Sequence, residues 1–331
     1  MKPIASLALL LSLAVAGCAG GGTASHAVTT SASSKSKIKL KPYALPIVTS
    51  RAVQAAGNRA NSRSTQDAIG QIPTLLQYLL SICLTDASLE GATQINLALL
   101  GVNALNGTVA TPIVSYNSDV IVNILSYQSS ALDLGGAQVP AQPYTGIQLV
   151  IDPTQSTVVD AAGVTHPLTF GTMVGGSFVQ SNASIQQISY PLAFDMSAGN
   201  LGLVLDFNAE QSILVSGGSY ELAPNLAGTT IANAVSIAGN VTSATGAPVQ
   251  GATAVVTTPD GTLVSVAPSD QNGNFQVNAI PAGTYVVTIQ NQYTTATGMQ
   301  VSASDGSTGS MAPIQVDIPA GYEIDLGQIS D

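Results

Sequence analysis

The chain has 331 residues, 45% of them hydrophobic and only 8% charged, with 32 Gly, 17 Pro and no Trp. Its basic residues (Lys2, Lys35, Lys37, Lys39, Lys41, Arg51, Arg59, Arg63) all precede residue 64, and its 18 Asp and Glu all follow it. A body of formal charge −18 from Ser64 to Asp331 repels phosphate backbones, which excludes nucleic acid as a partner by the usual electrostatic route. It also holds no Lys for a Schiff base and no Arg for clamping an anion.

Residues 1–17 read as a secretory signal. Lys2 supplies the positive end, and Ile4 to Ala16 form an apolar run shorter than the ~20 residues of a membrane span. The run ends in Val15-Ala16-Gly17-Cys18, which resembles a bacterial lipobox. That resemblance implies a lipid anchor on Cys18, whose thiol takes the diacylglyceryl group as a thioether; the alternative is an ordinary signal peptide with a chance Cys. Several acyl chains at roughly 0.8 kcal/mol per buried CH₂ hold a protein stably on a membrane. Ala19 after the Cys is similar to the sorting position of outer-membrane lipoproteins. The expected place is therefore the cell envelope, and the outer membrane in a Gram-negative organism.

Residues 18–73 show no apolar periodicity long enough to bury a core and are expected to be a flexible tether. About 50 such residues span on the order of 40 Å end to end. Their basic residues either lie along anionic headgroups or serve a merely soluble linker.

Residues 74–230 change to short β runs: Leu75–Leu84, Gln94–Val102, Ile121–Ile124, Gly146–Ile151, Ile185–Phe194, Gly202–Phe207 and Ser212–Val215. Turn chemistry separates them at Asn106-Gly107, Gly135-Gly136, Asp152-Pro153, Gly175-Gly176, Ala198-Gly199-Asn200 and Gly217-Gly218. Many short strands with Gly, Pro and Asn turns predict an all-β domain, a sandwich or a barrel; together with the unit that follows it, the expected fold is all-β with two tandem β-sandwiches. Leu84-Thr85-Asp86-Ala87, Tyr144 to Leu149, Leu205-Asp206-Phe207-Asn208-Ala209 with Ser212, and Tyr220 to Pro224 resemble a bacterial domain of unknown function common on surface lipoproteins. Asn208 stands where that family usually has a second Asp, so the paired carboxylate is missing. The resemblance implies no activity.

A second unit covers residues 236–331. Ile237 to Val241, Gly246 to Ala252, Asp270-Gln271-Asn272-Gly273-Asn274-Phe275 and Ile280 to Tyr285 resemble the carboxypeptidase-regulatory-like domain. That resemblance implies a seven-stranded, transthyretin-type sandwich of the immunoglobulin-like group. Pro248 fixes φ at a strand entry, Asp-x-Asn-Gly makes a tight turn, and Thr284–Gln290 alternates as a strand. Glu323–Ile329 supplies a closing strand.

Catalytic chemistry is thin. His26 lies in the tether and His166 has no local Ser or Cys motif. Cys83 lies in an apolar run and reads as a buried strand thiol. No nucleophile elbow, zinc helix or phosphate loop occurs. The expectation is a non-enzymatic surface binding or structural module with no catalytic, cofactor or metal residues, lipid-attached at Cys18. The alternative is an adhesin for glycan or protein assisted by calcium, with Asp270-Gln271-Asn272-Gly273-Asn274 as its candidate loop. Tyr116, Tyr127, Tyr144 and Tyr190 are its candidate contacts. A carboxylate-based glycosidase is the remote reading. Crowded like charges are also expected to raise the carboxylate pKa values and favour the fold near pH 4–5.

Overall fold

Apolar and polar residues alternate along many of the paired segments, so that one face of each sheet turns inward. In Ile314–Ile318, Ile314, Val316 and Ile318 are buried while Gln315 and Asp317 meet water. Tyr285, Val287 and Ile289 point inward from Gly283–Gln290 in the same way. The computed structural model describes residues 38–43, 46–49, 77–86, 89, 91–295, 297–298 and 300–330. Cys18 and the expected signal lie outside these residues.

The protein is all-β, two sandwiches in tandem. Two short strands come first, β1 (Lys39–Pro42) and β2 (Ile47–Val48). The N-terminal domain follows as β3 (Gln77–Asp86), β4 (Ala92–Asn106), β5 (Val109–Asn123), β6 (Ala131–Pro140), β7 (Pro143–Asp160) and β8 (Thr165–Val174). It continues as β9 (Ser177–Gln180), β10 (Gln186–Asp195), β11 (Leu201–Phe207), β12 (Ile213–Ser216), β13 (Ser219–Leu222) and β14 (Leu226–Thr230). One sheet runs β14-β11-β3-β6-β2; the facing eight-stranded sheet runs β12-β13-β8-β7-β4-β5, with β10 on β7 and β9 on β8. Leu80, Ile82, Leu97, Leu99, Ile147, Leu149 and Phe207 fill the space between them.

The C-terminal domain comprises β15 (Ala234–Thr242), β16 (Thr253–Thr257), β17 (Leu263–Pro268), β18 (Asn274–Pro281), β19 (Gly283–Gln290), β22 (Ile314–Ile318) and β23 (Tyr322–Ser330). A small ribbon, β20 (Gln292–Thr294) with β21 (Gln300–Ser302), forms a separate two-stranded sheet whose Val301 is buried. The order β17-β16-β19-β22 faces β1-β23-β15-β18. The domain thus builds its two sheets from seven strands of its own and receives an eighth, β1, from upstream of the first domain.

That eighth strand departs from the expected tether. Residues 39–42 pair antiparallel with β23, Lys39 opposite Asp325 and Pro42 opposite Tyr322, and β2 pairs in parallel with β6. Leu40 packs on the C-terminal core, while Lys41 donates to Asp325 Oδ2 at 2.8 Å and lies 3.7 Å from Glu323. The physical reason is a ladder with β23 that seats Leu40 on the apolar core and brings Lys41 to the carboxylates of a body without cations of its own. β1 runs toward the domain junction, where Tyr43 joins the cluster of Cys83, Ala131, Val204, Ala234 and Ala279.

Two expected turns lie inside strands instead. Gly135-Gly136 belongs to β6, where a side chain at Gly136 would meet the Leu80 carbonyl oxygen at 2.5 Å, so the glycine permits close strand approach. Asp152-Pro153 lies within β7, where the pairing with β4 slips between Asn96 and Ala98. Gly175-Gly176 is a tight hairpin turn as expected, both residues at positive φ (58° and 81°), joining β8 to β9.

Candidate functional site

A cleft of about 600 Å³ opens where the outer face of the β1-β23-β15-β18 sheet meets the N-terminal domain. Its volume is that of an ordinary small-ligand site. The floor is built by period-two alternation in β18, which turns Phe275 and Val277 into the core and leaves Asn274 and Gln276 outside. Ala238 and Asn240 come from β15, Asp325 and Gln328 from β23, and Lys41 from β1; Gln128 and Ser129 overhang from the other domain. Hydrogen bonds fix the wall: Asn278 Nδ2 donates to the Gln128 carbonyl at 2.6 Å, and Gln276 Nε2 donates to Asn278 Oδ1 at 3.0 Å. The Lys41 ammonium is pushed up by its hydrogen bond to Asp325. Burial pushes the Asp325 carboxyl up, but bonds from Lys41 and the Gly327 N–H outweigh it and leave it below the usual range. Amides, two carboxylates and one ammonium can bind a polar ligand; they offer no nucleophile with a base.

Asp270, at one end of this cleft, heads the expected calcium loop. Its Oδ1 accepts the N–H groups of Asn272 and Asn274, both at 2.8 Å. Asn240 Nδ2 donates to the Asn272 carbonyl at 2.8 Å and to Asn274 Oδ1 at 2.9 Å. The oxygens a cation would need therefore face amide donors, and the letters Asp-x-Asn-Gly serve a turn. Gly273 is required there: φ is +76° and a Cβ would lie 2.3 Å from the Val241 carbonyl oxygen. Among the described residues no group of three His, Cys, Asp or Glu is placed to hold a metal.

His166 on β8 has one hydrogen-bond partner, Asp160 Oδ2 at 2.9 Å, and its ring tilts against Tyr220 at 5.1 Å. The bond from His166 and the N–H groups of Val164 and Ala162 hold the Asp160 carboxyl below its ordinary range. Among the described residues no hydroxyl or thiol is hydrogen-bonded to His166. Cys83 is fully buried at the domain junction. Of the candidate contact tyrosines, Tyr116 and Tyr144 are buried: Tyr116 donates to the Leu134 carbonyl at 2.8 Å, and Tyr144 stacks on Phe194 at 5.1 Å. Tyr116 shares the inward parity of Val114, Val120 and Val122 on β5, whereas Tyr144 joins the core near the start of β7, out of step with Ile147, Leu149 and Ile151. Tyr127 packs beside the same core, and Tyr190 lines a shallower groove with Met173, Ile188 and Leu226.

The segment Leu205 to Ser212 works at the junction. Leu205 and Phe207 enter the first core, while Asp206 shares the opposite face with Val204 of the junction cluster. The Asp206 carboxyl is 2% exposed, and burial pushes it up to about 7. Asn208 caps a single helical turn (Ala209–Ser212) by accepting the Gln211 N–H, then donates Nδ2 to Ser265 Oγ at 3.1 Å and the Val266 carbonyl at 3.4 Å. Ser212 Oγ accepts the Asn225 N–H at 2.8 Å, which locks the Tyr220–Pro224 stretch behind it.

Two family models match the chain in tandem. Residues 79–224 match the Domain of unknown function (DUF4382), and residues 236–315 match the Carboxypeptidase regulatory-like domain. Among solved structures, the Bacillus anthracis TIE protein is similar at 10% identity and TM-score 0.24, covering 77% of this chain and 34% of its own. This chain thus corresponds to about a third of that protein's length. Shaft pilin SpaA from Lactobacillus rhamnosus GG is similar at 10% identity and TM-score 0.20, with coverage of 77% and 97%. A putative cell adhesion protein from Bacteroides eggerthii DSM 20697 is similar at 10% identity and TM-score 0.17, with coverage of 78% and 100%. No curated protein matches the chain.

Sequence reasoning missed the cleft residue Gln276 and its buried support Asn278. Their signal was available: Asn274-Phe275-Gln276-Val277-Asn278 places three amides on one face of a strand whose other face is apolar.

Proposed function

We propose that the chain is a non-catalytic envelope lipoprotein, anchored through an acylated Cys18, that presents its two sandwiches as a binding or structural module. One observation carries this reading: Val15-Ala16-Gly17-Cys18 at the end of a short apolar leader supplies a small-residue cleavage site and the thiol for a thioether. The outer membrane is the destination in a Gram-negative organism, the lipid surface is the fixed partner, and nucleic acid is not one.

The test is fractionation of cells expressing the full chain with labelled palmitate. Label on the natural protein and its recovery with membranes are expected; Cys18→Ser loses the label and the membrane association. Equal membrane binding by Cys18→Ser, or a mature form that keeps residues 1–17, overturns the proposal.

A second reading rests on the cleft. Gln128, Asn240, Asn274, Gln276 and Gln328 present planar donors and acceptors suited to hydroxyl-rich ligands, so a glycan is the ligand class it favours. A glycan array probed with and without Ca²⁺ tests it. Retained glycans that Gln276→Ala releases, with no calcium dependence, are expected; no retained glycan overturns it.

A further inference from the structure

We propose that the chain cuts itself once, at the peptide bond between Asp152 and Pro153, with the Asp152 side chain as the nucleophile. This is the one Asp–Pro bond among the chain's 17 prolines. Proline makes it a tertiary amide without an N–H. An aspartate side chain has the length to attack its own carbonyl carbon and close a cyclic anhydride, an intramolecular attack that proximity favours.

The fold gathers the other groups such a cut needs. β7 and β5 flank β4, and both bulge at the same level: Pro153 to Ser156 stand opposite Leu97 alone, and Tyr116 to Asp119 opposite Leu100 alone. Bulges re-aim side chains out of a ladder. Ser156 donates its hydroxyl to the Asp152 carbonyl oxygen at 2.8 Å, where negative charge develops during attack. It is 1% exposed and accepts the Ala98 N–H at 3.1 Å, which leaves its proton for the carbonyl. Asp152 Oδ1 accepts the N–H and the hydroxyl of Thr154, both at 2.7 Å, and the Asp119 carboxyl is hydrogen-bonded to that of Asp152. Burial and the charge of Asp152 push Asp119 up, while the Thr154 hydroxyl holds Asp152 low. An ionised nucleophile therefore stands beside a protonated acid. Among the described residues no third charged group acts on the pair: β4 between them carries none, and β10 brings Gln186 opposite Ile151.

The reaction balances with one water. An Asp152 carboxylate oxygen bonds to the Asp152 carbonyl carbon, and the carbon–nitrogen bond to Pro153 breaks. The nitrogen keeps the electron pair and takes the Asp119 proton. Water then opens the anhydride, leaving Asp152 with a terminal and a side-chain carboxyl and returning a proton to Asp119. The cut consumes its own substrate, so there is no turnover. Gly146 to Asp152 stay paired with Leu105 to Ala98, and Thr157 to Asp160 with Asn96 to Ala92, so the two pieces separate only on unfolding.

The purified full chain is incubated from about pH 3 to about pH 7 in heavy-oxygen water, then unfolded, separated by size and weighed. Pieces ending at Asp152 and starting at Pro153 are expected, forming at least about tenfold faster in the folded chain than in denaturant at the same pH. The rate should peak near the ordinary carboxylate value of 3.8, because Asp152 loses its charge below it and Asp119 its proton above it. Heavy oxygen should enter the side-chain carboxyl of Asp152 as well as the terminal one, which a contaminating protease does not produce. Asp119→Asn should slow the cut at least about tenfold and remove the fall at higher pH, and Asp152→Asn should stop it. No cut at any pH, equal rates in the folded and unfolded chain, or label confined to the terminal carboxyl overturns the proposal, as does an unchanged rate in Asp119→Asn. All but the last of these use the natural chain alone and stand if a variant fails to fold.

Discussion

Asn208 Nδ2 in the first sandwich donates to Ser265 Oγ in the second at 3.1 Å, while its own Oδ1 caps the turn that holds it. The bond requires an amide. Asn208→Asp keeps the capping oxygen but replaces the donor with a buried carboxylate facing the Val266 carbonyl. It should lower stability by about 2–3 kcal/mol and split one calorimetric transition into two, because the damage lies between the domains. Asn208→Ala, which loses the cap and the bond but buries no charge, should cost about 1–2 kcal/mol. A single undisturbed transition for Asn208→Asp would show that the domains are held together elsewhere.

Asp206 gives the junction a pH dependence. Its folded-state pKa of about 7 lies above the ordinary 3.8 because burial disfavours the charge. The stability it contributes is therefore complete below about pH 4 and is lost as pH rises through 7. Crowding of like charges, by contrast, does not raise the carboxylates as a class. Thr154 lowers Asp152, the Ser197 N–H lowers Asp195, and hydroxyls of Thr258 and Ser307 lower Asp260 and Asp305. Those groups protect the fold above about pH 4 and release it on further acidification. Melting temperature should peak near pH 4–5 and fall toward pH 8, and Asp206→Asn should flatten that fall. An unchanged slope in Asp206→Asn assigns it to other groups.

Two tyrosines close corresponding corners. Tyr144 donates its hydroxyl to the carbonyl of Pro140 at 3.2 Å, and Tyr285 to that of Pro281, each four residues back across a strand connection. Burial pushes the Tyr285 hydroxyl up to about 12. Tyr144→Phe and Tyr285→Phe should each cost about 1 kcal/mol by leaving a carbonyl less well bonded. Domain-resolved hydrogen exchange should show the loss in the first sandwich for one and the second for the other.

Sequence periodicity made the strands and most hairpins legible, because alternation and Gly-Gly or Asn-Gly turns are local signals. Gly135-Gly136 and Asp152-Pro153 misled for a physical reason: a bulge inside a strand and a turn between strands use the same residue types. The docking of Lys39–Pro42 on β23 was not legible, since a four-residue strand has too little pattern to announce a partner 284 positions away. The candidate cleft was half visible. Its Asp270 turn stood in the sequence, whereas Lys41 reaches it through the pairing of β1 with β23 and Gln128 through the packing of the two domains.

The strand at Lys39–Pro42 sets a further expectation. Lys41→Ala alone should cost under about 1 kcal/mol, because its ion pairs are exposed and screened by salt. Leu40→Asp should do more, since it removes an apolar anchor and opposes the neighbouring Asp325. Faster exchange of the Tyr322 to Asp325 amides in Leu40→Asp, and little change in Lys41→Ala, checks both.

The direction of that strand decides how the molecule stands when held by its leading segment. Lys39 lies at the end farther from the first sandwich, and Tyr43 at the end that meets it. A mechanical load arriving from residues ahead of Lys39 therefore enters through the ladder with Asp325 to Tyr322 and reaches the later-encoded sandwich first. The earlier-encoded one follows it along that path, in the reverse of its genetic order.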